Sequence, residues 1–133
     1  IIAGFPGENE EQFNRSCQAA EQLPITHLHV FTYSKRAGTA AAALGGQIPE
    51  PIKKERSARL RGMFEQKQRR YWHSLAGAET AVLFERQRDG VWSGLGEHYF
   101  KVSVRSDLQL KNQLRRVKLT AANDDGMSGE LVD

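Results

Sequence analysis

Only one cysteine, Cys17, occurs among the 133 residues. A single thiol permits no internal disulfide and cannot by itself hold zinc or an iron–sulfur cluster, so disulfide scaffolds and zinc modules are excluded and a reducing, cytoplasmic setting is expected. Long apolar runs are missing as well. The longest, TAAAALGG at residues 39–46, falls far short of the ~18–20 residues that cross a bilayer. No basic leader precedes the N-terminal IIAG and no small-residue cleavage site follows it, so a signal peptide is not expected. Without an initiator Met, IIAG reads as a strand cut from a longer protein. With 39% hydrophobic and 26% charged residues, the composition is that of a globular chain about one domain long.

An excess of charge is also lacking overall, at +3, but its distribution is uneven. Residues 53–70 hold eight Lys and Arg against Glu55 and Glu65, and residues 99–118 hold six against Asp107 alone. Two local basic surfaces raise the expectation of a phosphate-bearing partner. The plainer alternative is a pair of solvated faces, balanced by Asp124, Asp125, Glu130 and Asp133.

Along the chain, IIAG reads as a buried strand, FPG as a turn, and residues 9–23 as a helix with Phe13, Cys17, Ala20 and Leu23 on one face. Asn9 and Gln12 have the spacing of a capping box, and Pro24 ends the helix. THLHVFTYS at 26–34 reads as a second strand, so strand, helix and strand form a βαβ unit with parallel strands. Thr39 is placed to cap a short alanine helix. A long helix is predicted from Pro49 or Pro51 to about His73, with Leu60, Met63, Phe64, Tyr71 and Trp72 on its apolar stripe and basic residues over the remainder. The pattern changes to alternation near Ala76–Gly77, which places a domain boundary between 1–74 and 75–133.

The last 59 residues read as all-β, with five short strand candidates separated by Gly-containing turns. Strands that short and evenly spaced suggest a closed barrel, since an open sheet would expose its edges. In HYFKVSVR, alternation puts His98, Phe100, Val102 and Val104 on one face and Tyr99, Lys101, Ser103 and Arg105 on the other. In RRVKLT, Val117 and Leu119 face inward while Arg116 and Lys118 face outward. Aromatic and basic residues outside a small barrel suit base stacking and phosphate contact. Tyr99, Lys101, Arg105, Lys111, Arg116 and Lys118 are therefore the candidate nucleic-acid contacts. Trp92 reads equally well as core.

Gly4, Phe5, Pro6, Gly7 and Glu8 lie at a strand end just before a helix, where ligands of parallel α/β folds bind. A tight turn that needs glycine for geometry explains the same residues without a ligand. His27 and His29 share a strand face, but nothing nearby completes a metal-ligand set. Arg36, Gly38 and Thr39 lie past the second strand, where substrate contact and helix capping are both open readings.

The series IIAGFPGE, HLHVFTYSKRAGTAAA, IPEPIKKERSARLR, HYFKVSV and KNQLRRVKLTAANDDGMSGELV resembles the C-terminal portion of the radical-SAM methylthiotransferases that modify tRNA, the MiaB/MtaB-like group. The resemblance covers essentially the whole chain. It implies an α/β fragment of a radical-SAM (TIM-like) barrel followed by a small all-β TRAM (OB-like) barrel that binds RNA. The HLHVF form most resembles the branch acting on N6-threonylcarbamoyladenosine, beside the anticodon. The sequence departs from the pattern at Asn9, Thr32 and Ala40, and it has no CxxxCxxC motif.

The resemblance further implies that Gly4–Glu8 help hold S-adenosylmethionine, with Phe31 and Tyr33 bordering the cofactor or target-base pocket. It implies two 4Fe-4S clusters in the parent enzyme, held by missing N-terminal domains of the same polypeptide, and the anticodon stem-loop of tRNA as partner. No catalytic residue, metal ligand or membrane contact is expected within this chain, and the chain alone is expected to be inactive. The alternatives are a non-enzymatic TRAM-type RNA-binding protein and a methylthiotransferase of the ribosomal-protein branch.

Overall fold

Asn9 starts the first helix in the computed structural model, which describes residues 1–132. Its side chain accepts from the Gln12 amide at 2.8 Å while the Gln12 side chain accepts from the Asn9 amide at 2.9 Å, the reciprocal capping box expected from the spacing. The elements are β1 (Ile2–Ala3), α1 (Glu10–Gln22), β2 (Phe31–Thr32), α2 (Ala40–Ala43), α3 (Glu50–Ser74), β3 (Glu79–Arg88), β4 (Val91–Gly96), a 3-10 turn (Glu97–Tyr99), β5 (Lys101–Arg105), β6 (Leu114–Asn123) and β7 (Gly126–Leu131). They form two compact units, Ile1–Gln68 and a second that begins at Arg69, so the division falls inside α3.

In the first unit β1 and β2 pair in parallel, with Ile2 opposite Phe31 and Ala3 opposite Thr32. The strand expected over 26–34 is thus shorter, because β1 offers it only a short partner. Backbone bonds from Phe31 to Ile1 and from Tyr33 to Ala3 mark the extent of the pairing. Ala3, Phe13, Cys17 and Leu60 form the core, with Val30 and Met63 packed on it.

The α3 side chains depart from the expectation that its basic residues lie in solvent. Lys53 and Arg56 are buried, and Ser57 beside them is fully so. Each has a partner: Lys53 reaches Glu50 and the Tyr33 carbonyl, Arg56 reaches Glu8 and Glu10, and Ser57 shares a 2.7 Å hydrogen bond with Thr32. A buried charge requires such pairing, since an isolated one would carry the full desolvation cost.

In the second unit the five strands close into a barrel in the order β3-β4-β5-β7-β6. All neighbours are antiparallel except β5 and β7, which run parallel. Closure leaves no sheet edge unpaired, which answers the edge problem that the short strands pose. Phe84, Trp92, Phe100, Val102, Val104, Val117, Leu119 and Met127 fill the interior, and Trp72 from the end of α3 joins them. The inward sets expected on β5 and β6 are therefore buried, apart from His98. That residue is exposed in the 3-10 turn with φ 65°, because the Gly96 amide bonds the Phe100 carbonyl and delays the strand until Lys101.

Candidate cofactor turn and nucleic-acid interface

Gly4 leaves β1 with φ 76°, a left-handed conformation that glycine adopts without strain. A Cβ there would lie 2.3 Å from Cγ of Lys53, so the position also requires glycine for space. The Gly4 amide donates to Oε1 of Glu8 at 2.9 Å, Gly7 donates to the Gly46 carbonyl at 2.8 Å, and Glu8 donates to the Phe5 carbonyl at 3.0 Å. Nη1 of Arg56 then holds Glu8 at both its carboxylate and its carbonyl.

Three of the amides that could cradle an anion are thereby already used within the protein. What Gly4, Phe5, Pro6, Gly7 and Glu8 present instead is an exposed ring and a shallow hollow of about 320 Å³, lined by Phe5, Pro6, Gly7, Glu8 and Gln12. The Phe5 ring stands edge-on to Tyr33 at 5.5 Å, and the Tyr33 hydroxyl is buried without a hydrogen-bond partner. The turn therefore presents an apolar ring at its surface, while the polar tip of Tyr33 is enclosed by the protein. Phe31 is 61% exposed on β2 and is not part of that hollow.

The other candidates of this unit have local duties. The Thr39 hydroxyl donates to the Arg36 carbonyl at 2.8 Å and accepts from the Ala42 amide, so it is engaged as a cap. His27 and His29 stack edge to face at 5.0 Å. No group of three or more His, Cys, Asp or Glu side chains among the described residues could hold a metal, so these residues do not fit an iron–sulfur cluster. Cys17 is buried in the core, and burial pushes its thiol pKa up, away from the thiolate that metal binding needs. Lys67 places Nζ on the carbonyls of Ala20, Glu21 and Leu23 at 2.7–2.9 Å, closing the C-terminal end of α1. Much of the basic charge of α3 is therefore structural.

On the barrel the six candidate contacts separate. Lys101 and Arg105 share the outer face of β5, and Tyr99 lies in the 3-10 turn before that strand. Tyr99 is 80% exposed, and it and His98 both have positive φ. Arg116 and Lys118 lie on β6 among acids: Arg116 bonds Glu79 at 2.7 Å, and Lys118 stands between Glu79 on β3 and Glu130 on β7 in the ladder. Lys111 is exposed in the β5–β6 loop. Arg86 and Arg88 were not among the candidates, although they neighbour β5 across β4. The pairing shifts between Phe84 and Arg86, a β-bulge, and this brings Arg86 opposite Ser93 and Arg88 opposite Val91 on the outer face. Uninterrupted alternation from Phe84 would turn both inward, and no sequence signal marks the shift.

The chain thus combines an α/β unit with a glycine-containing strand–helix turn and a small closed barrel with cations on its outer surface. The chain is similar to methylthiotransferases. It is 32% identical over 134 residues to the tRNA-2-methylthio-N(6)-dimethylallyladenosine synthase of Jannaschia sp., covering 99% of this chain and 29% of that protein. It is 37% identical over 138 residues to the ribosomal protein uS12 methylthiotransferase of Gloeobacter violaceus, covering 98% of this chain and 31% of the relative. A tRNA-2-methylthio-N(6)-dimethylallyladenosine synthase of Francisella tularensis is 31% identical over 135 residues, with 99% and 30% covered. The likeness thus runs through both units, while the chain spans about three tenths of the length of these relatives. Relatives named for two kinds of substrate share the segment, so the comparisons point to methylthiotransferases as a group and not to one branch. No protein-family model matches the chain.

Proposed function

We propose that this chain is the C-terminal segment of a radical-SAM methylthiotransferase that adds a methylthio group to a modified adenosine next to the anticodon of tRNA. The observation that carries the reading is the 31–37% identity to methylthiotransferases over nearly the whole chain. Residues 1–74 would form the end of the radical-SAM barrel, and residues 75–133 a TRAM-type module that docks RNA. Gly4, Phe5, Pro6, Gly7 and Glu8 would form one wall of the cofactor pocket, with Phe31, exposed on the neighbouring strand outside their hollow, as a further contact. Tyr99, Lys101, Arg105, Lys111, Arg116 and Lys118 contact tRNA, those near β5 first because the β6 cations stand among acids.

S-adenosylmethionine supplies the radical and the methyl group in such a reaction, and clusters outside this chain supply electrons and sulfur. The residues of this chain bind, orient and exclude water. No described helix is long and apolar enough to cross a membrane, and the reading places the enzyme in the cytoplasm. The HLHVF run at 27–31 favours the N6-threonylcarbamoyladenosine branch by resemblance.

The Gloeobacter relative supports a second reading, in which the same segment serves an enzyme acting on a ribosomal protein. Mass spectrometry of tRNA nucleosides and of uS12 after incubation with the parent enzyme distinguishes the two. Methylthiolated adenosine is expected; modified uS12 with unmodified tRNA would establish the second reading. The isolated chain, given iron, sulfide, reductant and S-adenosylmethionine, is expected to give neither product.

A further inference from the structure

We infer that single-stranded RNA runs along the outer face of β3, β4 and β5, with Arg86, Arg88, Lys101 and Arg105 on its phosphates and Tyr99 stacked on a base. The inference rests on RNA being the partner, as in the proposed function, and adds where it lies and which cations hold it.

The ladder pairing sets out the surface in rows. Arg88, Val91 and Arg105 form one row across the three strands, Arg86, Ser93 and Ser103 the next, and Leu83, Leu95 and Lys101 the third. Serine hydroxyls therefore occupy the middle and cations the margins of a hollow of about 690 Å³. Lys101 and Arg105 are four residues apart on one strand, about 13 Å at ~3.3 Å per residue, a length that takes more than one backbone phosphate.

The acids of this face engage one of its four cations, Lys101, and leave the three arginines available. Asp89 lies 3.5 Å from Arg88 in the hairpin turn, but both side chains are at least 90% exposed, where an ion pair contributes little. Asp125 bonds Lys101 from an exposed position, and Glu85 lies in the adjoining hollow. Arg86 and Arg105 have no ion-pair partner among the described residues. On β6, by contrast, Arg116 already holds Glu79, and Lys118 stands among carboxylates.

One backbone irregularity lies on this face and another in the turn that leads into β5. The bulge at Phe84/Arg86 turns both β3 arginines outward, the re-aiming that bulges perform beside functional sites. At the other end, His98 and Tyr99 are consecutive non-glycine residues with φ 65° and 61°, a costly conformation that displays the Tyr99 ring at 80% exposure. An exposed ring two residues before Lys101, at the start of the strand that carries these cations, supplies the stacking partner that single-strand binding combines with phosphate contact.

The test is fluorescence anisotropy of the full chain with a labelled uridine decamer over a series of salt concentrations. Replacing Arg86 and Arg88 together by Gln is expected to weaken binding about tenfold and to reduce the log–log salt slope by about 1.4, at ~0.7 per phosphate contact for a single strand. Tyr99→Ala is expected to weaken binding about five- to a hundredfold with the slope unchanged, because stacking releases no counterions. Replacing Arg116 and Lys118 together by Gln should change the slope by less than half as much as the β3 pair. Equal losses from the β3 and β6 pairs, tighter binding of poly-glutamate than of the decamer, or no binding of the decamer would overturn the inference. Since the decamer contains no adenosine and the readout is binding alone, failure here leaves product formation by the parent enzyme, and hence the proposed function, to its own test.

Discussion

Arg56 grips Glu8 across 48 positions of sequence, Nη1 lying 2.8 Å from the carboxylate and 2.7 Å from the main-chain carbonyl. The same carboxylate receives the Gly4 amide, so the whole Gly4–Glu8 turn is fastened to α3 through one side chain.

Arg56→Met is expected to destabilise the first unit by about 3 kcal/mol, because it leaves a largely buried carboxylate without its counter-charge. Glu8→Gln in the same chain should restore part of the loss. Amide exchange at Phe13 and Cys17 on α1 reads the effect, and unchanged exchange in Arg56→Met would show that the pair does not hold the turn.

Lys67→Met should cost about 1 kcal/mol, since the cation sits on three carbonyls at the C-terminal end of α1. Its affinity for RNA should stay within twofold of the parent chain. A loss of RNA affinity comparable with that of the β3 arginine pair would assign α3 a direct part in binding.

Gly94→Ala should disrupt the crossing of β4 over β3, where a Cβ would lie 2.2 Å from the Leu83 carbonyl oxygen. The expected cost is about 1–3 kcal/mol or more, as for overpacked cores. Both tryptophans, Trp72 and Trp92, belong to the barrel core, so the urea midpoint followed by tryptophan emission reports this unit. An unchanged midpoint would show that the strands separate there at little cost.

Cys17 should react slowly with iodoacetamide at neutral pH and rapidly once the chain is unfolded in urea. Burial raises its thiol pKa above the unfolded value, so the folded state favours the protonated form. The stability tied to this group is fully present below the unfolded thiol pKa and is lost as pH rises through the folded one. Thiol labelling against pH checks the sign: a native rate rising at lower pH than the unfolded rate would contradict it.

Much was legible because the signals are local. The capping box at Asn9 and Gln12 involves residues three apart, and the alternation of Phe100, Val102 and Val104 against Lys101 and Arg105 is fixed by the pleat once a strand forms. His98 departed from its expected face because the turn closed by Gly96 and Phe100 suspends the alternation that would have buried it.

The sequence by itself determined the order of helices and strands, that the last five strands bury an alternating apolar set, and that a glycine turn stands between β1 and α1. Periodicity and capping are short-range properties, and the residues responsible are neighbours in the chain. Only the tertiary structure decided how the cations are used. Lys53, Arg56 and Lys67 read in sequence as members of a solvated basic helix, yet each serves carbonyls or carboxylates brought to it from 44 or more positions away or, for Lys53, from Glu50 and Tyr33. Arg86 and Arg88 carried no signal, and a one-residue shift against β4 set them outward beside Arg105. The physical reason is the same in both cases: a charge becomes structural or available according to what the fold places opposite it.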